Sequence, residues 1–224
     1  MKVLIVDDHP VVRAGLCRLL SNESETEIVE AADGESAVSV FRDLQPDLVI
    51  LDLNLPGISG LEVIGRIKNE HPTACVLVMS MYDTPFYVAR ILESGARGYV
   101  SKVAPPEQIL EAIRRVAAGR TYIEHEIAQE LALRNVREAS HPLQHLSRRD
   151  VEIMRLLADG GSLTEIARAL GVSYKTVANQ CSLLKGKLRV PRTADLVRLA
   201  LSYGLGRASG RLSASLSLDT WRQC

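Results

Sequence analysis

Asp7 and Asp8 follow the apolar run Val3 to Val6, Asp52 follows Leu48 to Leu51, Ser80 follows Cys75 to Met79, and Lys102 comes just after a run ending near Val100. Three carboxylates, a hydroxyl and an ammonium thus each stand past a short strand-like run. If those strands are parallel neighbours, the five side chains meet at one sheet edge. Carboxylates at close range repel unless a proton or cation intervenes, and a hard, oxygen-preferring divalent ion such as Mg²⁺ answers that need. With Mg²⁺ and Lys102 to neutralise equatorial oxygens and Ser80 to donate a hydrogen bond, the set can handle a phosphoryl group. One Asp carboxylate can then act as nucleophile and form an acyl phosphate. Singly, each residue has a plainer use: an Asp after a strand caps a helix or forms a turn, and a lone Ser or Lys there says little. Their recurrence in order, at the ends of runs one, three, four and five, is what points to chemistry.

The elements that must position them alternate. Strand-like runs at Lys2 to Val6, Glu27 to Ala31, Asp47 to Leu51, Ala74 to Met79 and Arg97 to Val100 are separated by helical periods at Pro10 to Leu20, Glu35 to Leu44, Gly60 to Glu70, Thr84 to Glu93 and Pro105 to Ala118. Strictly alternating strands and helices imply parallel pairing with right-handed crossovers, hence an α/β fold with a doubly wound five-stranded parallel sheet. Leu48-Val49-Ile50-Leu51 has no polar alternation, as expected of a strand covered on both faces. Residues 120–145 read as a linker with one amphipathic helix, Glu124 to Arg137, before a polar Ser140-His141-Pro142 break. Four short helical patterns without strands follow: Arg148 to Ala158, Leu163 to Leu170, Tyr174 to Leu188 and Thr193 to Tyr203. The expected division is 1–119, 120–145, 146–206 and a Ser-rich tail, 207–224, read as disordered.

Charge separates the same halves. The chain of 224 residues has 27 basic and 27 acidic side chains, but residues 1–119 hold 11 Lys and Arg against 17 Asp and Glu, a net −6, and residues 120–224 a net +6. Such asymmetry predicts two modules with different partners and raises the expectation of nucleic acid for the basic one. No apolar run approaches the roughly 20 residues a membrane span needs, and Asp7 ends the first run too early for a signal-peptide core. The expected location is cytoplasmic, without membrane association. Cys17, Cys75, Cys181 and Cys224 are scattered without C-x-x-C or Cys/His spacing, which argues against zinc and against a disulfide framework.

In the basic half, Tyr174 to Leu188 sorts cleanly on a helical wheel. Val177, Cys181, Leu184 and Leu188 form an apolar stripe, while Lys175, Asn179, Ser182 and Gly186 fall opposite, flanked by Lys185 and Lys187. A helix pair before it, closed by Gly171-Val172-Ser173, makes a helix-turn-helix whose second helix can enter a DNA major groove. Periodicity alone does not separate this from a solvated surface helix.

Two resemblances add to these readings. Val3-Leu-Ile-Val-Asp-Asp-His-Pro10, Asp47-Leu-Val-Ile-Leu-Asp-Leu-Asn-Leu-Pro-Gly57, Leu77-Val-Met-Ser80 and Gly98-Tyr-Val-Ser-Lys102 resemble the receiver domain of two-component signalling. The resemblance implies that Asp52 is the phosphoacceptor and that Asp8, Asp52 and the Asn54 backbone carbonyl hold Mg²⁺, with Asp7 supporting the metal's water shell. It also implies that Ser80 is the switch hydroxyl, that Lys102 binds the phosphoryl group, and that Tyr99 is the aromatic whose rotamer reports the state. Asn54 and Tyr82 match positions that tune acyl-phosphate lifetime.

Leu146-Ser-Arg-Arg-Asp-Val-Glu-Ile-Met-Arg-Leu-Leu-Ala-Asp-Gly160, Glu165-Ile-Ala167, Leu170-Gly-Val-Ser173, Thr176-Val177 and Lys187-Leu-Arg-Val190 resemble a LuxR-type four-helix DNA-binding domain. The chain through Gly206 is thus similar to a NarL/FixJ-type response regulator. It departs at Leu163-Thr164, where many relatives have Asn-Lys, at Ala178 where a basic residue is common, and at Gln180 where a His is. Asn179 and Ser182 are then the expected base readers, and Tyr174, Lys175, Thr176 and Lys185 the phosphate contacts.

The implied function is a phosphorylation-controlled transcription factor. A sensor histidine kinase phosphorylates Asp52, the receiver shifts, and a homodimer binds double-stranded DNA. At rest the acidic receiver is expected to lie against the basic helices and compete with DNA. The rivals are a Mg²⁺-dependent phosphotransferase or phosphatase using the same Asp, and a phosphorylation-independent regulator.

Overall fold

The computed structural model describes residues 1–21, 25–81, 84–137, 143 and 145–206, without the side chains of 133–137. Tyr82, the Ser140-His141-Pro142 break, Cys224 and the 207–224 tail lie outside the described residues. Five strands, β1 (Lys2–Val6), β2 (Glu27–Ala31), β3 (Leu48–Leu51), β4 (Val76–Ser80) and β5 (Gly98–Ser101), form one parallel sheet in the order β2-β1-β3-β4-β5. Between and after them run α1 (Pro10–Leu20), α2 (Gly34–Leu44), α3 (Gly60–Glu70), α4 (Pro85–Glu93) and α5 (Pro106–Ala117). The expected elements are all present, with ends shifted by a residue or two. β4 starts later than its apolar run and ends on Ser80.

The sheet divides two cores. Val3, Ile5, Leu48, Ile50, Leu77 and Met79 face α1 and α5, while Leu4, Val6, Val49, Leu51, Val76 and Val78 face α2, α3 and α4. Pairing register aligns the ends: Val6 lies beside Leu51, and Ser80 beside Ser101. Asp7 and Asp52 therefore leave neighbouring strands at one level, and Lys102 leaves beside Ser80. The chain passes from β1 to β2 on one side and returns to β3 on the other, so the crevice at β1 and β3 is where the strand order reverses. Gly60 keeps this corner tight, because a Cβ there would lie 2.5 Å from the Asp52 carbonyl oxygen and 2.6 Å from Leu53 Cα.

The segment after α5 is less free than a linker reading suggests. Tyr122 makes a parallel bridge to Gly98, its carbonyl accepting from Tyr99 N at 2.9 Å, which satisfies the outer edge of β5. α6 (His125–Arg137) then packs on α4.

Four helices complete the described chain: α7 (Arg148–Ala158), α8 (Leu163–Ala169), α9 (Tyr174–Leu188) and α10 (Thr193–Ser202). Ser147 and Ser162 open α7 and α8 with capping boxes, and Ser173 accepts from Thr176 N to open α9. Gly171 makes the turn between α8 and α9 at φ 62°, a left-handed conformation that any Cβ would strain. The apolar core of these helices is continuous with the α2–α4 side of the receiver sheet. The two halves thus share packing through α7.

Candidate phosphoryl pocket and DNA-facing helix

At the carboxyl edge of the sheet, Lys102 Nζ lies 2.6 Å from Asp7 Oδ2 and 2.8 Å from Asp52 Oδ2. Asp7, Asp52 and Ser80 are buried and Asp8 is half-buried. Burial pushes the Asp52 carboxyl above the usual carboxylate range. Lys102 and the Asn54 backbone N–H pull it down and Asp7 adds to the rise, so the net direction is upward. Burial alone would lower Lys102, but the two carboxylates reverse this and hold its ammonium protonated. One Lys therefore leaves the cluster short of positive charge.

That shortage, with the donor atoms present, fits a divalent cation. Ligand atoms of Asp7, Asp8, His9 and Asp52 all lie within 4.8 Å of one another. Asp8 Oδ1 is buried without a well-aligned hydrogen bond, although His9 Nδ1 approaches to 2.6 Å. The oxygen-rich set suits Mg²⁺ better than a softer metal.

Asp7, Asp8, Asp52 and Lys102 converge, and Ser80 ends the strand beside Lys102. Asp7 Oδ1 accepts from the His9 backbone N–H at 2.9 Å. Tyr99 is fully buried, and its hydroxyl donates to the Ser80 carbonyl at 3.4 Å, so ring position and the hydroxyl-bearing residue are mechanically joined. His9 was not singled out in the sequence. Its place beside Asp7 and Asp8 follows from the turn into α1, and the Asp-Asp-His succession was the available signal.

On α9, Val177, Cys181 and Leu184 are buried, while Lys175, Asn179, Ser182 and Gly186 are exposed, as the wheel predicts. Tyr174 is exposed as well. Thr176 is exposed, but its hydroxyl is 2.8 Å from Ser173 Oγ and serves the cap. Lys185 is half-buried. Lys187 is not a flank of the DNA face: its Nζ binds the fully buried Asp150 at 2.7 Å. Gln180 donates to the other Asp150 oxygen at 2.6 Å and so ties α9 to α7.

The receiver meets α7, and through Thr84 Oγ1, which donates at 3.4 Å, the Gly204 carbonyl beyond α10, but not the exposed polar face of α9. Glu152 Oε2 accepts from Tyr87 of α4 at 3.3 Å, Arg148 donates to the Glu93 carbonyl at 3.3 Å, and Arg149 lies 3.6 Å from Glu62. Arg155, 1% exposed, donates to Asn54 Oδ1 at 3.3 Å while held by Glu152 and Asp159. The expected receiver contact with the basic helices is present at α7, whose Arg148, Arg149 and Arg155 all meet receiver residues. α7 is buried on almost every side, and its three inward charges find partners instead of facing water.

Comparison with known proteins bears on both halves. Residues 3–114 match the family model described as "Response regulator receiver domain", and residues 144–200 match "Bacterial regulatory proteins, luxR family". The chain is 41% identical over 216 residues to the transcriptional activator protein ExaE of Pseudomonas putida, covering 92% of this chain and 99% of that protein. It is 35% identical to the response regulator GacA of Pseudomonas aeruginosa, covering 92% and 97%. The structure of the RcsB response regulator of Salmonella typhimurium superposes with a TM-score of 0.73 at 27% identity, over 91% of this chain and 98% of that one.

Proposed function

This chain belongs to the response regulators that join a receiver domain to a LuxR-type helix-turn-helix and is a DNA-binding transcriptional regulator, and we propose that phosphorylation of Asp52 controls it. The observation that carries the proposal is Lys102 bridging Asp7 and Asp52 at a sheet edge where Ser80 also ends its strand. Residues 1–119 form the receiver and 146–206 the DNA-binding domain, with 120–145 between them.

An Asp52 carboxylate oxygen bonds the phosphorus of a phosphohistidine on a sensor histidine kinase as the donor N–P bond breaks and the kinase imidazole leaves. Lys102, kept protonated by its carboxylate neighbours, moves its charge to the new phosphoryl oxygens, and Ser80 donates a hydrogen bond to one of them. Asp7, Asp8, Asp52 and the Asn54 carbonyl would hold Mg²⁺, which when bound neutralises carboxylate and phosphoryl charge together. Tyr99, through its bond to the Ser80 carbonyl, follows the displacement of Ser80. Phosphorylation then shifts a two-state population, and two copies grip DNA with higher effective concentration than one.

On DNA, Asn179 and Ser182 read base edges, while Tyr174, Lys175, Thr176 and Lys185 meet the backbone. Support comes from a further neighbour of 27% identity and TM-score 0.66, RcsB from Salmonella enterica bound to promoter rprA in the presence of the phosphomimetic BeF₃⁻. A phosphatase built on Asp52 would need an acid nearby. Asn54 is a carboxamide whose oxygen is occupied by Arg155, which favours a regulator without turnover of its own. DNA and a signalling kinase as partners place the protein in the cytoplasm.

The test is phosphate incorporation from acetyl phosphate with Mg²⁺, followed by DNA binding across a genomic fragment pool. The wild-type chain is expected to take up phosphate and bind its sites more tightly, and Asp52→Asn to do neither. DNA binding indifferent to the donor in both proteins would remove phosphorylation control and favour the independent regulator.

A further inference from the structure

Among the described residues, one buried charged cluster lies outside the phosphoryl pocket and yet touches its wall. Arg155 projects from α7 with its fork fully engaged. Nη1 lies 3.3 Å from Asn54 Oδ1 and 3.1 Å from Asp159 Oδ2, and Nη2 lies 2.7 Å from Glu152 Oε1. Glu152 in turn accepts from Tyr87 of α4. Asn54 itself stands two residues after Asp52, and its backbone N–H is one of the groups that lower the Asp52 carboxyl against burial. A line of hydrogen bonds therefore runs from Asn54, two residues past Asp52, to Arg155, and on through Glu152 to α4.

We propose that Arg155 is a positioning residue for the phosphoryl chemistry of Asp52: by fixing the Asn54 side chain, it makes the docked DNA-binding half a brake on phosphorylation of the receiver. The proposal rests on Asp52 as phosphoacceptor. In transfer from acetyl phosphate, an Asp52 oxygen bonds phosphorus as the donor O–P bond breaks and acetate leaves. In loss, a water oxygen bonds phosphorus, the Asp52 O–P bond breaks, and inorganic phosphate departs.

Both steps change the charge and bulk at the carboxylate that the Asn54 N–H serves. Residues 53–55 must adjust, and Arg155 resists, because its guanidinium is planar and its remaining donors are fixed by two carboxylates. Coupling of two equilibria is reciprocal: if docking disfavours the phosphorylated state through Asn54, phosphorylation disfavours docking by the same factor.

The experiment follows phosphate incorporation from acetyl phosphate with Mg²⁺, and its later hydrolysis, in the full chain. Arg155→Gln is expected to speed incorporation about fivefold or more, the lower end of measured couplings. Because Arg155→Gln strands a buried Glu152, Glu152→Gln/Arg155→Gln, which removes the pair together, is measured beside it with the same expectation. Arg155→Lys, which keeps the charge and lacks the fork, restores at most part of the brake.

In an Asn54→Ala background, whatever its own rate, Arg155→Gln should change nothing, since the route has been cut. Wild-type rates in both Arg155 variants, or an undiminished gain in the Asn54→Ala background, overturn the proposal. Failure of its premise looks different: wild-type chain that takes up no phosphate, or Asp52→Asn that takes up as much, overturns the phosphoacceptor reading instead.

Discussion

Two buried sets of carboxylates held by a lysine show how single side chains set conditions for the whole. Lys102 is the near cation for Asp7 and Asp52, so Lys102→Met leaves two buried carboxylates facing each other. Without divalent ions this should cost about 3 kcal/mol in urea unfolding, the range for breaking one side of a buried pair. Millimolar Mg²⁺ should narrow the gap, because an ion bound only by the folded state stabilises it. A gap unmoved by Mg²⁺ would argue against a cation site.

Asp150 is the corresponding residue in the second half. Burial would raise its carboxyl, but Lys187, Gln180 and the Ser147 N–H together hold it below the usual range. As pH falls, the unfolded chain takes up this proton first. The Asp150 contribution is therefore complete above its unfolded value, about 3.9, and is lost as pH drops through the lower folded value. Asp150→Asn is expected to cost about 2 kcal/mol at neutral pH, as for a charge-assisted hydrogen bond, and to flatten the acid limb of stability measured between pH 5 and pH 2. An acid limb as steep as wild type would show that other carboxylates govern it.

At the scale of elements, α9 separates what it packs with from what it reads with. Lys175 and Asn179 are both exposed on one face, yet they should fail differently. Lys175→Ala should weaken all DNA sites alike and reduce the slope of log affinity against log salt by about 1, whereas Asn179→Ala should cost about 1–3 kcal/mol on specific sites and relax preference at one base pair. Titrations at several salt concentrations on matched and mutated operators distinguish them, and identical behaviour of the two variants would undo the assignment of roles.

This face was legible in the sequence because a helix of 3.6-residue period repeats its pattern locally, and the sheet edge was legible because each strand ends on its own polar residue. Partnerships across elements were not. Lys187 looked like a DNA flank, and nothing within α9 announces that Asp150, 37 positions earlier, captures it. Nothing within α7 announces that Glu152 and Arg155 are buried, since the receiver residues that cover them lie far away in sequence. Tyr122 looked like linker for the same reason, its partner being the open edge of β5.

For the whole molecule, the neutral total conceals halves of −6 and +6, and that opposition suggests a receiver lying against the basic helices and competing with DNA. The structure spends the contact on α7 and leaves Lys175, Asn179 and Ser182 of α9 open. Control by docking should then act on the pairing of two chains more than on the grip of one. Glu62→Arg tests this, since it loosens the rim of the interface from the receiver side, opposite Arg149, and leaves the DNA-binding half chemically unaltered. Exposed ion pairs contribute about 0–1 kcal/mol, so the change is a nudge to docking and should not unfold either half. Unphosphorylated Glu62→Arg should bind a single half-site within about threefold of wild type, because its reading face was already free. On a two-half-site operator, phosphorylation should bring the larger gain, through effective concentration, with a steeper salt dependence as the second copy joins. A gain of about tenfold on the single half-site, well above what the lost ion pair is worth, would mean that the docked receiver shields α9 after all, and competition with DNA would return as the mechanism.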